Sequence, residues 1–235
     1  MKIILLGYGK MGRTIEQIAL DRGHDISARI DIGNQDELAT AKGDVAIEFS
    51  HPSAAFDNVR AMLEREIPVV CGTTGWLERK SEIETLCKHV DGAFFYASNY
   101  SLGVNIFFRL NEYLSRVMQT FPEYEVELDE VHHVQKKDSP SGTAISLANG
   151  ILKNISRKKK WVNGQSDLPS DLVIKSFRIA DIPGTHVVKY NSPIDDIEIK
   201  HTAHSREGFA TGAVLVAEWI RNKKGVLSMD DFLKF

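Results

Sequence analysis

Residues 2–31 limit the folds open to this chain more than any other stretch. Lys2–Leu6 is an apolar run of strand type that leads directly into Gly7-Tyr8-Gly9-Lys10-Met11-Gly12. A helix follows, with Met11, Ile15, Ile18 and Ala19 on one face, and it ends at Arg22-Gly23. Asp25–Ile30 reads as a second strand with Asp31 at its carboxyl end, 19 residues past Gly12. Glycine triplets also serve ordinary turns. Here the strand before, the helix after and the acid beyond supply the whole context of a dinucleotide fold. Gly7 permits the tight turn, Gly9 lets a pyrophosphate reach the backbone, and Gly12 lets helix pack on strand. Asp31 stands at the offset of an acid that bonds an adenosine ribose.

The α/β alternation continues, predicting a parallel sheet of Rossmann type. Strands are expected at Val45–Phe49, Pro68–Cys71 and Ala93–Ala97, with helices at Ala54–Arg65 and Leu77–His89. Ser50-His51-Pro52-Ser53 reads as a turn and cap after the third strand, and Gly72-Thr73-Thr74-Gly75 follows the fourth. The latter loop lies at a strand carboxyl end, where open α/β sheets hold their ligands.

After Ala97 the pattern changes. Ser98-Asn99-Tyr100-Ser101 leads into a long helix, Leu102–Gln119, and Tyr124–Val131 then alternates apolar with acidic residues as a half-buried strand does. Trp161–Ser170 reads as a polar loop, followed by strand-like runs at Leu172–Ile179, Thr185–Tyr190 and Ile194–Ala203. The expected second portion is therefore α+β with an open mixed sheet, whose uncovered face suits a partner subunit. A helix at Phe209–Arg221 and a capping box at Ser228-x-x-Asp231 close the chain.

The chemistry concentrates in Glu130-Val-His132-His133-Val-Gln-Lys136-Lys137-Asp-Ser-Pro140-Ser141-Gly142-Thr143-Ala144. An apolar stripe of Ala144, Leu147, Ala148, Ile151, Leu152 and Ile155 predicts a helix. Ser139 is its expected N-cap and Pro140 its first residue. That puts Ser141, Gly142 and Thr143 at the positive end, ready for a carboxylate. Neighbours on a strand point to opposite faces, so His132 and His133 cannot both face one ligand if the strand stays regular. Histidines at strand ends and Lys-Lys turns are commonly structural, and the combination of two histidines, a lysine and a Ser-Gly-Thr helix start shifts the reading toward a small dicarboxylate.

A formal charge of −3, with 43% hydrophobic and 26% charged residues, gives no nucleic-acid surface. Arg157-Lys158-Lys159-Lys160 is short and reads as a solvated helix end or loop. Cys71 and Cys87 lack metal-ligand spacing and are expected reduced, and no metal is expected. No apolar run reaches membrane-spanning length, so the expected location is cytoplasmic.

Taken together, these motifs resemble the 4-hydroxy-tetrahydrodipicolinate (dihydrodipicolinate) reductase family. The likeness rests on Gly7–Gly12, Gly72–Gly75, Ala97–Asn105, Arg178 with Gly184-Thr185-His186, Ser205-Arg206-x-x-Phe209, and above all Glu130–Ala144. The resemblance implies a dinucleotide-binding domain of residues 1–99 plus 205–235, with a substrate-binding and tetramerisation domain of residues 100–204. It also implies a homotetramer, a cleft that closes between the domains, and an NADH- or NADPH-dependent reduction that releases water in the diaminopimelate route to lysine.

The resemblance also implies residue roles. His132 would be the general acid, a task suited to a side chain whose ordinary titration lies near neutrality. Lys136, also catalytic, would be the cation that binds or polarises the substrate, and His133, Ser141, Gly142, Thr143 and Arg206 would bind substrate. Gly7, Tyr8, Gly9, Lys10, Met11, Gly12, Asp31, Phe49, His51, Gly72, Thr73, Thr74, Ala97, Asn99 and Tyr100 would line the cofactor. Many relatives place a basic residue after the ribose acid, whereas this chain has Asp31-Ile32. That difference predicts dual coenzyme use leaning to NADH. The competing readings are another amino-acid-type dehydrogenase and a non-catalytic NAD(H) sensor; neither calls for both the His-His-x-x-Lys and Ser-Gly-Thr elements.

Overall fold

A strand buried on both faces needs apolar residues at every position, and β1 (Lys2–Leu6) meets that demand, with Ile3–Leu6 essentially inaccessible. In the computed structural model, which describes residues 1–205 and 207–235, the chain continues through α1 (Lys10–Asp21), β2 (Asp25–Ile30) and β3 (Val45–Glu48). Next come α2 (Pro52–Leu63), β4 (Val69–Cys71), α3 (Lys80–His89) and β5 (Ala93–Tyr96). The middle of the chain forms α4 (Leu102–Met118), β6 (Glu125–His132), α5 (Gly142–Asn154) and β7 (Lys160–Asn163). After these come β8 (Asp171–Arg178), β9 (Gly184–Asn191) and β10 (Asp196–Ala203). The chain ends with α6 (Glu207–Ile220), β11 (Gly225–Leu227) and α7 (Met229–Leu233). Two compact units result: Met1–Ser101 with Glu207–Phe235, and the intervening segment from Leu102.

The first unit holds a six-stranded sheet in the order β11-β5-β4-β3-β1-β2, every pair parallel. Alternation along β1 sends Ile3 and Leu5 to a core shared with α1 and α6, and Ile4 and Leu6 to one shared with α2 and α3. Each such side chain contributes about 1.5–3 kcal/mol on full burial, so the two cores, rather than helix propensity, hold this layer together. This is the doubly wound Rossmann-type sheet expected from the alternation.

The second unit is the expected open mixed sheet, in the order β10-β9-β6-β8-β7. Its β10, β9 and β6 pair antiparallel, while β6–β8 and β8–β7 pair parallel. Helices α4 and α5 pack together over one face, and Leu128, Leu147, Ile151, Ile174, Val188 and Tyr190 form the core beneath them. The other face carries the ion pairs Lys175–Glu127 and Lys189–Asp129.

Two sequence expectations fail in this unit. The supposed loop Trp161–Ser170 opens with the edge strand β7. Only Trp161 and Val162 are apolar there, and pairing with β8 rather than an alternating pattern holds the segment extended. Only half of the basic run is solvated: Lys159 and Lys160 are exposed, whereas Arg157 and Lys158 are not. Lys158 is buried, ion-paired to Glu125 and bonded at 2.8 Å to the carbonyls of both Pro169 and Asp171, while Arg157 donates to the carbonyls of Met118 and Tyr124. Among the described residues no helix is long and apolar enough to cross a membrane.

Candidate active site

In the first unit β1 has β2 on one side and β3 on the other, so the direction of winding reverses there and a crevice opens at the strand carboxyl ends. A cavity of about 210 Å³ lies in it, lined by Gly7, Tyr8, Gly9, Asp31, Phe49 and His51 among others. Gly7 has φ +95°, and a Cβ there would fall 2.2 Å from the Phe49 carbonyl oxygen. A Cβ on Gly12 would fall 2.2 Å from the Gly7 carbonyl oxygen, so α1 packs closely on the turn. Gly9 caps α1 and has nothing within 4 Å of its missing Cβ. The first-turn amides at Lys10 and Met11 and an open approach thus come together, as an anion requires. Asp31 is fixed at the rim: it accepts from the Tyr8 amide at 3.1 Å and the Ile32 amide at 2.9 Å.

The neighbouring loops form one hydrogen-bonded floor. The Cys71 carbonyl accepts from the Ala97 amide at 3.3 Å and the Tyr100 hydroxyl at 2.8 Å. Thr73 Oγ1 accepts from the Ser50 amide at 2.9 Å, Asn99 Oδ1 from the Ser101 amide at 2.9 Å, and His51 Nδ1 caps α2 by accepting from the Ser53 amide. Thr74 is exposed at the tip of its loop. The Phe49 ring lies over Gly72, where a Cβ would come within 2.2 Å of Cζ, and packs 5.4 Å from the Tyr100 ring. Tyr100 itself is 1% exposed in the core, and its side chain supports Phe49 and Cys71.

Sequence reasoning missed Glu48, a fully buried carboxylate beneath this floor. It accepts from the Ser50 amide at 3.2 Å and from the Cys71 thiol at 3.2 Å. Burial, and then the charge of Glu48, push the Cys71 thiol well above its ordinary range, so it stays protonated and donates. An acid ending an otherwise apolar strand was the available signal.

The second unit gathers its polar groups by strand period. Glu130 and His132 are two apart on β6 and share its buried face. Register sets His186 of β9 opposite Glu130, and Arg178 of β8 opposite His132. His132 Nδ1 lies 2.5 Å from Glu130 Oε2, although the approach is oblique and neither atom has an in-line hydrogen bond. Arg178 donates to Glu130 Oε1 at 3.0 Å, and the Ser141 amide donates to the same atom at 3.3 Å. Burial pushes the Glu130 carboxyl up, but His132, Ser176 and Arg178 outweigh it and bring it down to about 2. His186 stands 5.0 Å from His132, ring to ring, with Nε2 at 2.9 Å from Ser141 Oγ. Burial, and then the charge of His132, lower His186 to about 3, so it is neutral at physiological pH.

The helix start differs from expectation by two residues. Ser141, not Ser139, is the N-cap: its backbone is extended and its Oγ accepts from the Ala144 amide at 3.1 Å. Gly142 and Thr143 are therefore the first two helical residues, whose amides have no intrahelical acceptor. Lys136 Nζ bonds Asp138 at 2.7 and 2.8 Å and holds that carboxyl below its ordinary range. Arg178 ties this loop down by donating to the carbonyls of Lys136 and Asp138. His133 lies beyond the end of β6 and lines a separate cavity of about 280 Å³ with Gln135, Asp181 and Ser205. Arg206 lies outside the described residues.

Glu130, His132 and His186 each offer a ligand-capable atom within 4.8 Å of the others. Two ligands on one tetrahedral ion with bonds of about 2.0–2.1 Å sit more than 3 Å apart. At 2.5 Å, Nδ1 and Oε2 are too close for both to ligate one such ion.

The comparisons agree across the chain. The family model described as dihydrodipicolinate reductase, N-terminus, matches residues 1–100, and that described as dihydrodipicolinate reductase, C-terminus, matches residues 103–233. A 4-hydroxy-tetrahydrodipicolinate reductase of Christiangramia forsetii is 50% identical over 99% of this chain and 98% of its own. One from Archaeoglobus fulgidus is 34% identical over 96% of each. The solved dipicolinate-bound dihydrodipicolinate reductase of Paenisporosarcina sp. TG-14 shares the fold, with TM-score 0.80 over 99% of both chains at 19% identity. With both halves matched by its models and a relative half-identical end to end, this chain belongs to the dihydrodipicolinate reductase family.

Proposed function

We propose that this protein reduces 4-hydroxy-tetrahydrodipicolinate to tetrahydrodipicolinate, with loss of water, using NADH or NADPH in the diaminopimelate route to lysine. The observation that carries the reading is the buried Glu130–His132 pair beside the Ser141-capped start of α5, in a chain of this family. The first unit suits a dinucleotide, because Gly9 is open to a pyrophosphate and Asp31 is held at the cavity rim. A bound nicotinamide would supply the hydride.

In this reading His132 is the general acid and gives its proton from Nε2. Gly142 and Thr143 hold one carboxylate through the amides of the α5 N-terminus, His133 holds the other, and Arg206 serves closure or substrate binding. Lys136 is the cation facing the dicarboxylate, and its bond to Asp138 is the one an arriving carboxylate would replace. Asp31 accepts a ribose hydroxyl, and its charge disfavours a 2′-phosphate. The next side chain, Ile32, is 89% exposed and brings no cation, which favours NADH. The open face of the β10–β7 sheet is the tetramer contact.

A coupled assay tests the reading. The condensation product of pyruvate and aspartate semialdehyde is made in situ by its synthase, and absorbance is followed with NADH and NADPH separately. Substrate-dependent oxidation, faster with NADH, is expected. No turnover with either coenzyme, despite tight coenzyme binding, would refute it.

A further inference from the structure

His132 has two ring nitrogens, and only a proton at the one offered to substrate is useful. Nothing in the spacing of the histidines fixes which nitrogen that is. The surrounding strands do. Glu130 Oε2 approaches Nδ1 to 2.5 Å, while Nε2 points to Gly184, where a Cβ would stand 2.9 Å from it. Gly184 therefore keeps the space beside Nε2 clear. We propose that Glu130 is a positioning residue, holding His132 with Nδ1 protonated toward the sheet and Nε2 as the nitrogen that serves the substrate.

The groups facing the pair each have a part. Arg178 and the Ser141 amide occupy Glu130 Oε1, which leaves Oε2 for His132. A guanidinium has donors only, so Arg178 can meet an oxygen there but cannot accept from an NH2 put in its place. His186, fully enclosed between Ser141 and His132, adds no positive charge that would compete for the carboxylate. Lys136 is turned to Asp138, and His133 lines the other cavity. Proton flow balances: Nε2 of the imidazolium gives up one proton, Nδ1 keeps its own toward Glu130, and Glu130 stays ionised throughout.

Substitution by glutamine then has a specific consequence. Glu130→Gln has one acceptor oxygen, and Arg178 with the Ser141 amide claims it. The carboxamide NH2 is left facing His132 Nδ1, which must accept and so moves the ring proton to Nε2. This rests on His132 being the acid, and the test separates the two ideas.

Long-range 15N–1H correlation of histidine-labelled protein reads the tautomer directly, with the His132 signals among the eight histidines assigned by their loss in His132→Gln. In alkaline solution wild-type His132 should be protonated at Nδ1 and Glu130→Gln at Nε2. The same variant should lose kcat on the order of 10²–10⁴-fold, with KM for both substrates within about twofold. An Nε2-protonated wild-type ring would overturn the proposal even if the variant fails to fold, and so would a folded variant with unchanged kcat. Failure of the acid assignment shows separately, as full activity in His132→Gln.

Discussion

His186→Gln should flatten the acid side of the stability curve, and the size of the effect follows from the burial of the ring. His186 is 4% exposed, and burial with the neighbouring His132 charge lowers it from 6.5 to about 3. Between those values the unfolded chain binds a proton that the folded chain refuses, so stability rises with pH there. The contribution is fully present above pH 6.5 and is lost as pH falls toward 3, a gap worth about 5 kcal/mol at ~1.4 kcal/mol per unit. Glu130, lowered from 4.5 to about 2, acts with the same sign but only in more acid solution. In the window from about pH 6 to about 5, His201, also lowered by burial, acts with the same sign but is common to both proteins, so wild type should lose about 1.2 kcal/mol more than His186→Gln. Glutamine carries a nitrogen to the Nε2 position and can keep the Ser141 contact, so cavity effects stay common to all pH values. The assay is urea unfolding of both proteins across that window, comparing midpoints at matched slope. Parallel curves would show that His186 titrates alike in both states, and the account of an enclosed neutral imidazole would be wrong.

Other perturbations test other parts of the molecule. Gly72→Ala would drive a methyl to 2.2 Å from the Phe49 ring, so Phe49 must leave the cavity wall; overpacking of this kind costs about 1–3 kcal/mol, and dinucleotide affinity measured by fluorescence titration should weaken roughly tenfold. Arg178→Lys replaces a fork that meets Glu130 and the carbonyls of Lys136 and Asp138 with a single ammonium; kcat/KM should fall at least about tenfold, and unchanged steady-state kinetics would deny that Arg178 organises the site. Ile32→Arg places a cation beside Asp31 at an exposed position; the NADPH-to-NADH ratio of kcat/KM should rise roughly tenfold, and a ratio that does not move would put coenzyme choice elsewhere.

The parts of this molecule legible in sequence are those whose cause is local. Gly7, Gly9 and Gly12 announce their turn because the steric demands on each are set within a few residues, and the structure shows the clash or the open space at each. The doubly buried β1 is legible because every residue from Ile3 to Leu6 must be apolar. Partners across strands are not local. His186 and Arg178 could be quoted as motif residues, but only the pairing of β9 and β8 with β6 sets them against Glu130 and His132. The same holds for Lys158, whose carbonyl acceptors come from the far side of a loop, and for β7, which is a strand because β8 lies beside it. The start of α5 marks the boundary between the two cases. Ser139 and Ser141 are equivalent N-caps by composition, and what favours Ser141 is tertiary: its amide meets Glu130 and its hydroxyl meets His186. The buried carboxylate thus meets both His132 and the amide that opens α5, so the histidine and the start of the helix are placed against one residue.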